Sequence, residues 1–255
     1  MTAGSARAGT ATMRQIPLAL SAPEPASFDN YVAGSNGEAV AALQALIDAA
    51  PAPDAGQPCL LYLWGEPGTG KSHLLAALAG AVGPRALALG ADSAPAAFEA
   101  ALAALAPGAA TQVAPVAIVD DCERLDDVHQ QQVFHLFNRI AARPDAAFVA
   151  AGAQPPRALA LREELRTRLG AGNIIRLSLL SDAQKAEALR RAARGRGIAL
   201  PEELLQWLLT HRSRDIRWLL RLLDALDRYA LERKRAITLP LLREFELAGL
   251  LIKSP

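Results

Sequence analysis

The chain has 255 residues, enough to bury a large core as one large domain or two smaller ones. Its 27 Lys and Arg residues face 26 Asp and Glu, a net charge of +1, so no overall basic field draws it onto DNA or a membrane surface. No apolar run approaches the roughly 20 residues of a membrane span, residues 1–12 lack the apolar stretch of a signal peptide, and two cysteines with four scattered histidines give neither a disulfide scaffold nor a metal spacing, which together predict a soluble cytoplasmic protein.

Residues 1–13 are rich in Ala, Gly and Thr and are expected to be disordered, with Met13 as an alternative start to Met1. Arg14-Gln15-Ile16-Pro17-Leu18-Ala19-Leu20 follows, bounded by Pro23 and Pro25; its prolines prevent a helix from propagating, so it is expected to lie extended. Such a segment is either a cover strand on its own domain or a peptide ligand, with Gln15 anchoring polar groups and Leu18 and Leu20 filling pockets. The pattern Q-x-x-L-x-L resembles the short motif with which bacterial replication proteins bind the sliding clamp of DNA polymerase. Next, Ser27-Phe28-Asp29-Asn30-Tyr31-Val32-Ala33-Gly34-Ser35-Asn36 resembles the lead-in segment of the replication initiator DnaA, which folds beside the adenine pocket. By that resemblance Tyr31 and Val32 are candidate nucleotide contacts. Apolar spacing (Val40, Leu43, Leu46, Ile47) predicts a helix over 37–50, and 51–58 reads as a loop.

An apolar strand, Leu60-Leu61-Tyr62-Leu63-Trp64, then breaks into Gly65-Glu66-Pro67-Gly68-Thr69-Gly70-Lys71-Ser72 and resumes as a helix from His73. A complete GxxxxGKS between a strand and a helix is a strong phosphate-loop signal. Gly65, Gly68 and Gly70 let successive N–H groups turn inward toward phosphate oxygens, and the helix N-terminus adds partial positive charge there. Lys71 is placed to reach the β- and γ-phosphates, and the Ser72 hydroxyl to hold Mg²⁺. Thr69 and His73 complete the set expected to contact the nucleotide, ADP or ATP.

Residues 85–89 read as a strand and 95–105 as an alanine-rich helix. The strand expected over 113–119 ends in Asp120-Asp121. In a nucleoside triphosphatase Asp120 holds Mg²⁺, usually through water, and Asp121 orients or deprotonates the attacking water. The bland alternative is that the pair caps the helix expected over 126–140. DnaA carries the same pair. A strand over 146–151 leads into Gly152-Ala153-Gln154. In the DnaA-like family a Thr or Asp at that strand end senses the γ-phosphate; here Ala151 and Ala153 stand there, which predicts weak intrinsic hydrolysis.

Leu165-Arg166-Thr167-Arg168-Leu169-Gly170 resembles the L-x-S-R-[FL] element whose arginine, here Arg168, acts in trans on a neighbouring subunit's nucleotide. A guanidinium suits that task because it is always charged and binds phosphate oxygens with paired donors. The bland reading is an ordinary surface arginine on a charged helix end. After a last strand over 173–177 only helices are expected, over 181–194, 201–210, 213–231 and 240–250. Within the third, Arg217 stands where the family keeps a lid arginine that contacts the nucleotide's phosphates. Arg190, Arg191, Arg194 and Arg196 read as a solvated face.

The sequence therefore predicts an α/β P-loop domain of the AAA+ class with a parallel sheet over 27–179, an all-helical lid over 180–255, and a flexible segment over 1–26 that carries the peptide 15–20. The chain stops where DnaA continues into a DNA-binding domain. That combination resembles the DnaA-related regulatory inactivators. The resemblance implies docking on the clamp's β subunit, contact with DNA only through the clamp, and stimulation by Arg168 of hydrolysis of DnaA-bound ATP. The oligomeric state stays open; a homodimer or higher oligomer would gain in clamp docking by multivalency. Two other classes stay open. A self-sufficient ATPase, such as a helicase loader, would show ATP turnover without DnaA. A nucleotide-gated DNA-binding module would show salt-sensitive DNA binding by the isolated chain.

Overall fold

A computed structural model describes residues 25–48, 58–106, 114–211 and 215–250. The peptide with Gln15, Leu18 and Leu20 lies outside the described residues.

Five strands, β1 (Cys59–Trp64), β2 (Ala86–Leu89), β3 (Val116–Val119), β4 (Ala147–Gly152) and β5 (Asn173–Arg176), form one sheet in the order β2-β3-β4-β1-β5. All four pairings are parallel. Parallel strands need crossovers, and these cover both faces of the sheet, which is why the strands read as unbroken apolar runs. Alternate residues serve opposite cores. Tyr62, Ala117, Val119, Phe148 and Ala150 face one side, packed with α3 (Pro95–Ala104), α4 (Asp127–Ala141) and α5 (Glu163–Leu169) through Phe98, Val133, Leu136, Phe137, Ile140 and Leu165. Leu61, Leu63, Val116, Ile118, Val149 and Ala151 face the other side, against Leu43 of α1 (Gly37–Asp48) and Leu74 and Leu78 of α2 (Lys71–Val82).

Element boundaries differ from the sequence expectation where proline intervenes. The strand expected from 85 begins at Ala86, because Gly83–Arg85 forms a 3₁₀ turn around Pro84. Pro115 has no N–H, and β3 starts one residue after it, although the Pro115 carbonyl still accepts from Ala147 at 2.9 Å. The cap of α4 is Asp126, whose carboxylate accepts from the His129 N–H at 2.8 Å; Asp120 and Asp121 do not cap that helix.

Beyond β5 lie four helices: α6 (Asp182–Gly195), α7 (Glu202–His211), α8 (Ile216–Arg233) and α9 (Leu239–Leu247). Ser181 and Gln184 form a capping box on α6, Asp215 caps α8 and Thr238 caps α9. Their apolar faces share a third core built on Leu189, Leu204, Leu208, Trp218, Leu222, Leu241 and Phe245, which has no member in common with the two sheet cores. No helix among the described residues is long and apolar enough to cross a membrane.

Candidate functional site: the phosphate loop and its surroundings

Parallel strands present all their C-terminal ends at one edge of the sheet, where ligands of open α/β folds bind. There the loop after β1, the Asp120-Asp121 pair after β3 and the end of β4 come together. Leu63 pairs with Ala151 and Trp64 with Gly152, and the Gly65 N–H donates to the Gly152 carbonyl at 3.3 Å. Val119 pairs with Ala150, so continuing the register sets Asp120 beside Ala151.

The loop keeps its glycines for steric reasons. Gly68 and Gly70 have φ of 87° and 93°, left-handed values that L side chains rarely adopt. A Cβ on Gly65 would lie 2.5 Å from the Leu177 carbonyl oxygen, and one on Gly70 would lie 2.6 Å from the Tyr31 ring. Thr69 is buried, and its hydroxyl donates to the Glu66 carbonyl at 2.9 Å.

Lys71 is the informative side chain. It is only 8 % exposed, and its ammonium donates to the Gly65 and Glu66 carbonyls at 2.7 and 3.3 Å. Both partners are neutral, and no carboxylate pairs with it among the described residues. A buried cation without a counter-charge is costly unless an anion completes its environment. The donor set at this turn therefore fits a phosphate. Ser72 is exposed at the start of α2, and Asp120 is half-buried, its Oδ1 accepting from the Asp121 N–H at 2.8 Å. Among the described residues no group of three or more His, Cys, Asp or Glu gathers into a metal cage. One hydroxyl and one carboxylate beside phosphates is the donor set Mg²⁺ takes when it keeps most of its waters.

Asp121 stands at φ 49°, and its carboxylate lies 3.3 Å from Arg124, which is itself paired with Asp92 at 2.9 Å. Glu123 turns toward the end of β4 and accepts from the Ala153 N–H at 3.0 Å. Ala151 is fully buried in β4, so no side chain there reaches the phosphate edge, and the nearest polar group of Gln154 in use is its carbonyl, which accepts from Tyr62 at 2.9 Å. Burial pushes the Tyr62 phenol and the Cys122 thiol far up, so both stay neutral.

The lead-in segment folds against the loop. The Tyr31 hydroxyl donates to the Thr69 carbonyl at 3.1 Å, and its ring lies 5.6 Å from that of His73. Burial raises the Tyr31 pKa, partly offset by the hydrogen bond from Asn36. The His73 Nε2 lies 3.0 Å from the Ser27 carbonyl. Val32 is half-buried in the same segment.

Neither arginine makes a hydrogen bond to the loop among the described residues. Arg168 is exposed in the last turn of α5, its guanidinium 5.9 Å from the centre of the Phe137 ring, with no carboxylate partner among the described residues. Arg217 is exposed at the start of α8 and pairs with Asp215 at 3.2 Å; among the described residues it makes no hydrogen bond to the loop. Sequence reasoning passed over Asn36, Glu123, Arg124 and the junction residues 177–180. Only Asn36 carried a signal, the Gly-x-Asn in which it ends.

Residues 182–245 match a family model described as Hda, lid domain. That match covers the helical unit beyond β5 and not the sheet domain. Among solved structures the chain resembles domain III of the Thermotoga maritima replication initiation protein DnaA, with a TM-score of 0.64 and 20% identity over 89% of this chain and 97% of that one. AMPPCP-bound DnaA from Aquifex aeolicus matches with a TM-score of 0.59 and 21% identity, over 82% and 68%. The Thermotoga maritima RuvB branch-migration motor matches with 0.61 and 19%, over 88% and 72%. At these identities the likeness to solved structures establishes the AAA+ P-loop fold alone, and the helical unit is similar to the Hda lid domain over residues 182–245.

Proposed function

We propose that this chain is a nucleotide-binding regulator of replication initiation that acts on DnaA. In this reading Lys71 and the N–H groups of Gly68, Gly70 and Ser72 hold the phosphates of ADP or ATP, and Tyr31, Val32 and His73 line the side toward the base. Bound Mg²⁺, held by Ser72 and Asp120, would neutralise phosphate charge. Binding of AMPPCP by structurally similar DnaA supports the nucleotide assignment. Gln15, Leu18 and Leu20 bring the protein to the sliding clamp, so that it works only where DNA is being copied. Multivalent docking by a homodimer or larger assembly strengthens a modest single-peptide affinity.

The observation that carries the regulatory reading is Arg168. In a chain whose residues 182–245 match an Hda lid, an exposed guanidinium free of any carboxylate among the described residues stands in the last turn of a short helix and makes no hydrogen bond there to the chain's own loop. It is poised for a neighbour's phosphates. Arginine fingers given in trans raise phosphoryl-transfer rates by about 10³–10⁵, and lysine does not reproduce the planar fork. The chain's own turnover is expected to be slow: Ala151 offers no polar group beside Asp120, and Asp121 is engaged by Arg124.

The test is an assay of DnaA-bound ATP with clamp-loaded DNA. Arg168→Ala and Arg168→Lys should keep nucleotide affinity and clamp binding and lose stimulation. Full stimulation by Arg168→Ala would overturn the trans mechanism.

A further inference from the structure

Four consecutive residues between β5 and α6 each touch the phosphate loop, the strand end before it or the segment that leads into it. The Leu177 N–H donates to the Trp64 carbonyl at 2.7 Å, and its own carbonyl closes on Gly65. Ser178 exchanges two bonds with Asn36: its N–H donates to Asn36 Oδ1 at 2.8 Å, and its carbonyl accepts from Asn36 Nδ2 at 3.0 Å. Leu179 Cδ2 lies 3.6 Å from the position a Cβ on Gly68 would take, and Leu180 Cδ2 lies 2.5 Å from that of Gly34. The start of the lid is thus seated over the nucleotide loop.

Asn36 is the centre of this arrangement. It is 4 % exposed, and its second amide N–H donates to the Tyr31 hydroxyl at 3.2 Å. That hydroxyl donates in turn to the Thr69 carbonyl of the loop, while the Tyr31 ring blocks any side chain at Gly70. An unbroken chain of hydrogen bonds therefore runs from Thr69 through Tyr31 and Asn36 to the backbone of Ser178, across 142 residues of sequence between the last two. A buried amide with both donors committed has no water to fall back on, so a shift at one end is passed along or leaves a group unsatisfied.

We propose that Asn36 is a positioning residue of the nucleotide site that ties the state of the phosphate loop to the lid junction at 177–180. The inference rests on the nucleotide-binding reading above. Phosphate binding at Gly68–Ser72 holds the Thr69 carbonyl, which fixes the Tyr31 hydroxyl, which fixes Asn36 and so the first residues of the lid. Asn36→Asp tests this with the same shape. A carboxylate keeps the bond from the Ser178 N–H but sets an acceptor against the Ser178 carbonyl and has no donor for Tyr31.

The experiment is hydrogen exchange followed by mass spectrometry on the full chain, with and without ADP, for wild type, Asn36→Asp and Asn36→Ala. Each protein is saturated according to its own ADP affinity, measured by calorimetry. In wild type ADP should slow exchange about tenfold or more at both 65–72 and 177–181. In the variants the slowing at 65–72 should remain and that at 177–181 should vanish, a ligand-dependent difference that mere loss of stability would not produce. Should Asn36→Ala fail to fold, Asn36→Asp gives the same reading. ADP-dependent slowing at 177–181 that survives in Asn36→Asp overturns the tie, as does its absence from wild type when 65–72 responds. Failure of wild type to bind ADP at all overturns the nucleotide reading itself, and the tie with it.

Discussion

Lys71 carries a conflict that only a ligand resolves. Its ammonium is buried against two carbonyls, which accept hydrogen bonds but bring no charge. A charged donor to phosphate contributes roughly 1.5–3 kcal/mol, so Lys71→Met, which keeps the apolar stem, should weaken ADP binding about 10- to 100-fold by that measure. The same change removes an uncompensated buried charge from the free protein. The melting temperature without nucleotide should therefore stay level or rise. Calorimetric titration and thermal unfolding on one preparation check both outcomes. Unchanged affinity in a folded variant would remove the phosphate-loop assignment. This part of the site is legible in the sequence because its eight residues are contiguous and its glycines, Lys71 and the two hydroxyl residues each answer a local need: φ, close approach, charge or hydroxyl. Asn36 carries only the Gly-x-Asn signal, and its tie to Ser178 is illegible for the opposite reason, since that partner lies far along the chain and nothing at Ser178 marks the meeting point.

Among the elements, the strands with both faces covered (β1, β3 and β4) were the easiest to read, because burial on two sides leaves unbroken apolar runs. The sequence pattern makes the edge strand β2 one residue too long, because its start is decided by a turn around Pro84. In sequence helix α4 starts at its cap, Asp126, because an Asp that caps and an Asp that begins a helix look alike there. The same cap sets up a pH-dependent contact. His129 lies between two acceptors, the Ser93 carbonyl at 3.1 Å from Nε2 and the Asp126 carboxylate at 2.7 Å from Nδ1, with Phe98 against its ring. Only the imidazolium donates to both, so the Ser93 bond first and the Asp126 bond second raise its pKa; burial opposes them and Asp92 adds a weaker pull. A histidine raised above its unfolded value of about 6.5 stabilises fully below that pH and loses the contribution as pH rises through the folded-state pKa. Asp126, itself held low, stays ionised across this window. The melting temperature should fall between about pH 6 and 8, and His129→Gln should flatten that slope. A slope unchanged by the substitution would place the titration elsewhere.

At the scale of the whole molecule, the helical lid and the sheet domain are stabilised by cores that share no residue. On the proposed reading the lid responds to a nucleotide, and separate cores would let it loosen without opening the sheet. Trp218 gives the sharpest probe: it is 1 % exposed at the first turn of α8, packed within the lid core. Removing such a ring costs about 3–5 kcal/mol through lost burial and the cavity left behind. The cost of Trp218→Ala should fall on the lid alone. Hydrogen exchange on the full chain should show protection collapsing across α6, α7, α8 and α9 while β1, β3 and β4 keep theirs. The lid's start is pinned by Ser178 to Asn36, so residues 177–180 should hold part of their protection even then. A uniform loss across sheet and lid would mean that the two cores unfold as one cooperative unit, and a lid moving independently of the sheet would have to be abandoned.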